Sequence, residues 1–195
     1  EPSSSTTPSD EPVQGPQSFS LAYSKDDTLD PYAARTEVNW ELAGLLYDSL
    51  TVIDAQFTAV NSLAVSLQQT DATHWVAQLK EDARFSDGSA VTPADVTAAF
   101  QRAKSSANYR VLVSNVAAAA ANAKTREITF TLSSPDPNAA ACFSFPIVKS
   151  STATTAAGQA PVGGGLYMVQ ESDGGLTLTV NPHSGQSPRY PTIPL

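Results

Sequence analysis

The period of the apolar positions changes repeatedly along this chain, and each change marks an element. Phe19-Ser20-Leu21-Ala22-Tyr23 has the two-residue alternation of a strand. From Glu37 onward Val38, Leu42, Leu45, Leu46 and Leu50 recur at helical spacing, with Thr36 or Asn39 as the cap. Thr51-Val52-Ile53 reads as a short strand. Residues 63–69 and 74–80 read as hairpin partners, with Trp75, Ala77 and Leu79 on one face and His74, Val76, Gln78 and Lys80 on the other. Residues 166–170 and 176–180 alternate around Ser172-Asp173-Gly174-Gly175, a second hairpin signal. Pro188, Pro191 and Pro194 close the chain in extended form. Residues 111–124 hold a conflict, because Ala117 to Ala121 are good helix formers in a segment that could also pair as a strand.

The most informative stretch is Phe85 to Phe100. Asp87-Gly88 is a tight-turn dipeptide, since Gly takes positive φ at little steric cost and Asp bonds its own backbone. Thr92 offers a hydroxyl to cap a helix, Pro93 pre-sets φ at the first helical position, and Asp95 sits three residues after the cap. Val96, Ala99, Phe100 and Ala103 then form one apolar stripe. A strand, a turn and a capped helix are expected within about twenty residues, longer than the 11–12 of an average helix alone.

Composition narrows the function. With 195 residues, 41% hydrophobic and 15% charged, the chain can bury a good core. Its net charge is −8 with no Lys/Arg cluster, so a nucleic-acid backbone would be repelled, and anionic membrane surfaces are disfavoured. The single cysteine, Cys142, excludes an internal disulfide framework and sits in an apolar run, where it reads as a small buried hydrophobe. His74 and His183 have no partner at metal-ligand spacing, so no metal site is expected. No nucleophile elbow, P-loop or paired-cysteine motif occurs, and no catalytic residue is assigned. Gly163-Gly164-Gly165 lacks the helix of a dinucleotide fingerprint and reads as a flexible turn. Residues 1–17 hold four Pro, four Ser and two Thr, too little apolar surface to offset ordering entropy, so this terminus is expected to be disordered.

The stretch from Phe85 also resembles the F-x-D-G-x-x-x-T-x-x-D-V signature of the bacterial extracellular solute-binding proteins that serve ABC importers, in the oligopeptide, dipeptide and nickel group. Three further stretches agree in order. Thr28-Leu29-Asp30-Pro31, before a helix ending Leu46-Tyr47-Asp48-Ser49-Leu50, is similar to the family's LDP and following lyE-x-L. Ile128-Thr129-Phe130-Thr131-Leu132-Ser133-Ser134-Pro135 resembles its tv-x-f-x-L-x-x-P. Ala160-Pro161-Val162-Gly163-Gly164-Gly165-Leu166-Tyr167 with Asn181-Pro182-His183 resembles its P-v-G-t-G-P-Y … N block, although Gly164 and Leu166 stand where Thr and Pro are usual.

The resemblance implies an α/β (mixed α+β) fold: a periplasmic-binding-protein-like first lobe with an inserted smaller subdomain, the second lobe missing. Residues 18–49 and 146–195 would form the parent domain, and 50–145 the insertion. Its register makes 111–124 a strand paired with 127–132 through a turn at Asn122-Ala123-Lys124-Thr125. The implied function is capture of small peptides or a related solute outside the cytoplasm for the permease of an ABC importer, by a monomer with no cofactor and no chemistry on the ligand. A lipid anchor carried outside this chain would hold it at the surface, with 1–17 as its tether. In peptide-binding relatives the loop after Leu-Asp-Pro lies at the cleft and its main chain pairs with the ligand backbone. Here that loop holds Tyr32, Arg35, Thr36 and Glu37, with an ordinary loop into a helix as the competing reading. The rival from another class is a surface interaction or sensor module that feeds no transporter. A hydrolase comes third.

Overall fold

Periodicity becomes three antiparallel sheets and three α-helices among the described residues, 18–172 and 175–195, of the computed structural model. The tether expected at 1–17 lies outside the described residues. In chain order come α1 (Glu37–Glu41), α2 (Ala43–Leu46), β1 (Thr51–Ile53), β2 (Ala59–Asn61), β3 (Ala64–Gln69), β4 (His74–Leu79) and α3 (Pro93–Ser105). Then follow β5 (Val116–Asn122), β6 (Glu127–Leu132), 3-10 turns at Ala139–Phe143 and Ser150–Thr152, and β7 (Tyr167–Ser172), β8 (Gly175–Val180) and β9 (Thr192–Pro194). This is the mixed α/β architecture that the sequence implies.

Local chemistry accounts for α3. The Thr92 hydroxyl accepts from the Asp95 N–H, and the Asp95 carboxylate accepts from the Thr92 N–H at 3.1 Å, so two orphan donors are satisfied reciprocally. Val96, Ala99, Phe100 and Ala103 are buried as the stripe requires. Gly88 takes φ +81°, the left-handed value that the Asp87-Gly88 turn demands. The expected strand before this turn is reduced to a single bridge, Arg84 to Ala90.

The larger sheet has the order β3-β4-β6-β5. Its register places Trp75 opposite Phe130 and Ala77 opposite Ile128, so the alternating residues of β4 and β6 bury one face. Phe130 stacks on Phe143 at 4.3 Å and meets Phe100 of α3 edge-on at 6.2 Å, which fixes the helix on this face. Residues 111–115 are turns, and the strand expected over 111–124 begins at Val116. It pairs with β6 as the family register implies. Here tertiary pairing overrides the helical propensity of the alanines.

Two readings need correction. Residues 19–23 form no strand: Leu21 N–H bonds to the Pro194 carbonyl at 3.0 Å, and no ladder follows, because alternation alone supplies no partner. The single helix expected from Glu37 is two short ones joined at Leu42, and Leu50 lies beyond both, bonded through its carbonyl to Ser62 N–H at 2.9 Å. No alternation or turn pattern announces β2, which pairs with β1.

Gly163-Gly164-Gly165 is not a flexible turn. A Cβ on Gly163 would lie 2.1 Å from the Leu46 carbonyl oxygen, and one on Gly165 would lie 2.5–2.6 Å from backbone atoms of Leu45, Leu46 and Tyr47. Glycine is required because two backbones touch there. Gly165 N–H bonds to the Leu46 carbonyl at 3.0 Å, and Ser86 N–H to the Gly163 carbonyl at 2.8 Å. One hydrophobic cluster runs through Leu29, Leu46, Leu50, Phe85, Phe143, Ile147 and Leu178, joining the segments on either side of residues 50–145.

Candidate ligand-binding site

The loop that precedes α1 is built around two buried carboxylates. Asp27 Oδ2 accepts the N–H of Arg35 at 2.8 Å, the N–H of Thr36 at 2.7 Å and the Thr36 hydroxyl at 2.8 Å, while Oδ1 accepts Thr28 N–H at 2.9 Å. Burial pushes this carboxyl up, but the bonds from Thr36, Arg35 and Thr28 outweigh it and hold it at about 2. Asp30, with no exposed surface, accepts Tyr32 N–H at 3.1 Å on one oxygen. On the other it accepts the Arg102 guanidinium at 2.8 Å and Thr154 N–H at 3.1 Å. Asp30 therefore ties the loop to α3 and to the segment after the second 3-10 turn. Nothing local to Asp30 signals partners 72 and 124 residues away.

Neutral groups complete the frame. The buried Asn39 side chain donates to the Ser24 carbonyl at 2.9 Å and the Thr28 carbonyl at 3.0 Å, and accepts Ser24 N–H at 2.7 Å. Asn108, beyond the end of α3, donates to the carbonyls of Pro31 at 3.0 Å and Ala34 at 2.9 Å. Leu29 N–H bonds to the Gln159 carbonyl at 2.8 Å, and Gly158 N–H to the Asp27 carbonyl at 2.8 Å. The small-residue connector at 150–159 is thus held against the loop.

The four expected binding residues share this loop but differ in exposure. Tyr32 is buried: its hydroxyl donates to the Pro146 carbonyl, its ring meets Tyr109 edge-on at 5.2 Å, and the Arg102 guanidinium lies 4.8 Å from the ring centre. Thr36 spends both its N–H and its hydroxyl on Asp27. Arg35 has 82% of its side chain exposed, with Nε 3.7 Å from Asp27 Oδ1. Glu37 is exposed in the first turn of α1. The N–H groups of Tyr32, Ala33, Ala34, Arg35 and Thr36 are all bonded within the protein. What the loop offers outward is one cationic and one anionic side chain on a rigid backbone.

Beside it lies an apolar surface that sequence reading missed. Trp40 of α1, 40% exposed, sits 6.4 Å from the Tyr109 ring. Burial pushes the Tyr109 phenol up to about 12, against a hydrogen bond with Trp40. Tyr109, Tyr47, Val52, Ile53 and Gly44 line a hollow of about 290 Å³. Its wall comes from three separate parts of the chain, so no spacing rule could have found it.

The model of the family described as bacterial extracellular solute-binding proteins, family 5, middle portion, matches residues 58–193. A curated binding protein of Haemophilus influenzae is 33% identical over 76 residues, 39% of this chain and 15% of that protein. Among solved structures, the Bacillus subtilis oligopeptide-binding protein AppA, in complex with a nonapeptide, superposes with a TM-score of 0.69 at 19% identity over 90% of this chain. NikA from Staphylococcus aureus, in complex with Ni(L-His)2, gives 0.66 at 20% identity over 86% of this chain. This chain spans 38% of the first and 35% of the second. The shared fold is the periplasmic-binding-protein-like one expected from the sequence.

Proposed function

The chain belongs to family 5 of the bacterial extracellular solute-binding proteins, and from that premise we propose that it is the first of two lobes that capture a small peptide or related solute for an ABC importer. Residues 18–49 and 146–195 act as the parent domain of this lobe, and 50–145 as its insertion. The location is extracytoplasmic, as the family's description has it, with a lipid anchor carried outside this chain. The lobe works as a monomer and binds its solute without transforming it.

One observation carries this reading. The loop from Asp27 to Glu37 is fixed by Asp27, Asp30 and Asn108, leaves the Arg35 and Glu37 side chains exposed, and meets through Tyr32 the Pro146 and Tyr109 wall of an uncharged hollow. A short peptide is a zwitterion with apolar side chains, so it can offer its carboxylate to Arg35 and its ammonium to Glu37. Tyr32 and Thr36 serve the site indirectly, by holding the loop.

Calorimetry with a pool of di- to pentapeptides tests the proposal. A ligand gripped on one wall keeps about half of a micromolar interaction of roughly 8 kcal/mol, which gives about millimolar affinity. Arg35→Ala and Glu37→Ala are each expected to weaken it further without changing the melting temperature. No heat at several millimolar peptide, or variants that bind as tightly as the parent, would overturn the site.

A further inference from the structure

We propose that the hollow beside α2 is a subsite for an aromatic-sized apolar group that carries one hydrogen-bond donor, an N–H or O–H. The proposal rests on the solute-capture reading and specifies what part of the solute this lobe selects. No ionised side chain lines the hollow. At about 290 Å³ it stands at the lower end of small-molecule pockets and has room for an aromatic ring.

Two of its wall hydroxyls are already committed as donors. Ser49 Oγ spends its proton on the Thr51 carbonyl at 2.6 Å, and Ser144 Oγ spends its own on the Ala141 carbonyl at 2.8 Å. A hydroxyl has one proton and two lone pairs, so both serines are left able only to accept. An occupant with a donor satisfies them, and one with only acceptors strips them of water without return.

A glycine supplies the independent observation. Gly44 lies in α2, where glycine costs about 0.5–1 kcal/mol relative to alanine. A Cβ built there meets nothing within 4 Å, in contrast with Gly163 and Gly165. Packing therefore does not demand a glycine at 44. What its missing side chain does is keep the hollow open, with Val52 and Ile53, 39% and 44% exposed, as the opposite lip.

The test uses indole as the probe, with 3-methylindole and 1-methylindole as equal-sized partners of which only the first keeps the N–H. Affinities are read by saturation-transfer NMR on this chain. The expected result is that 1-methylindole binds about fivefold more weakly than 3-methylindole, one neutral hydrogen bond's difference of ~1 kcal/mol. Gly44→Leu, whose Cβ has open space around it, should abolish binding of all three while its melting temperature holds or rises. Equal binding of the two methylindoles, or a Gly44→Leu variant that binds as the parent does, would overturn the proposal. So would a concentration-dependent dimer in sedimentation that Gly44→Leu dissolves, since a second copy would then be the occupant. If the peptide pool binds and the indoles do not, the subsite falls and the capture reading stands. If the indoles bind and no peptide does, the reverse holds.

Discussion

Gly165→Ala is the most direct test of how the loop-bearing helices are seated. The added Cβ would sit 2.5 Å from the Leu46 carbonyl carbon and 2.6 Å from both Leu45 O and Tyr47 N. Comfortable contact needs about 3.5 Å, so the two backbones must part by about 1 Å. That displacement stretches the 3.0 Å bond from Gly165 N–H to Leu46 O beyond usefulness. It also strains the buried bond from Asn181 Nδ2 to Gly165 O, now 2.8 Å. Overpacking costs about 1–3 kcal/mol and one lost bond about 1 kcal/mol, which together predict a loss of about 3 kcal/mol. Against a total of about 5–15 kcal/mol this is a large fraction. With a urea slope of about 2 kcal/mol/M, the midpoint should fall by 1–2 M at unchanged slope. Gly44→Ala is the matched control and should raise stability by about 0.5–1 kcal/mol, because its site is open and helical. A Gly165→Ala midpoint within about 0.3 M of the parent, on that same slope, would refute the close approach of α2 and the glycine segment.

Three further outcomes are expected. Thr92→Ala removes the side-chain half of the capping box and should cost about 1 kcal/mol in urea melts, with no change meaning that Asp95 alone holds the helix start. Asp27 lies at about 2 in the folded chain against an ordinary 3.8, so its contribution is present above pH 4 and fades as pH falls through 2. Asp27→Asn should accordingly be less stable at neutral pH, and its melting temperature should converge with the parent's near pH 2; a constant gap across that range would contradict the assignment. Arg102→Met leaves the fully buried Asp30 carboxylate without a cation and should cost about 3 kcal/mol or more by thermal melting, whereas a near-neutral result would mean that the two backbone N–H bonds suffice.

What the sequence revealed depended on how local the cause was. The turn at Gly88 and the cap at Thr92 are decided within a few residues, and both were legible. The hairpins β3–β4 and β7–β8 were legible because alternation and turn residues agree. Residues 19–23 alternate equally well, yet a strand needs a neighbour, and the nearest one, β9, offers only Pro194 O. Leu42 has the right spacing for one helix, but Asn39 is drawn inward to bond residues 24–28, and the helix breaks after Glu41. The requirement for glycine at 163 and 165 comes from Leu46 and Tyr47, more than a hundred residues earlier. In the same way the loop of Tyr32, Arg35, Thr36 and Glu37 was located by resemblance, while the acids that hold it became visible only in three dimensions.

The separations that close this loop also set when it can be finished. Thr28 and Asp30 wait for Gln159 and Thr154, 131 and 124 residues downstream. The hairpins β3–β4, β5–β6 and β7–β8 join neighbours in sequence and can form on a microsecond scale once their residues are together. Long-range closure carries a larger entropy cost and comes late. A chain emerging from its N-terminus therefore exposes the Asp27–Glu37 loop first and completes it last. Arg102 can reach Asp30 earlier, but until residues 154–159 are out Asp30 lacks the Thr154 N–H and Leu29 lacks the Gln159 carbonyl. In pulse-labelled refolding the amides of Leu29 and Thr154 are therefore expected to gain protection after those of the three hairpins.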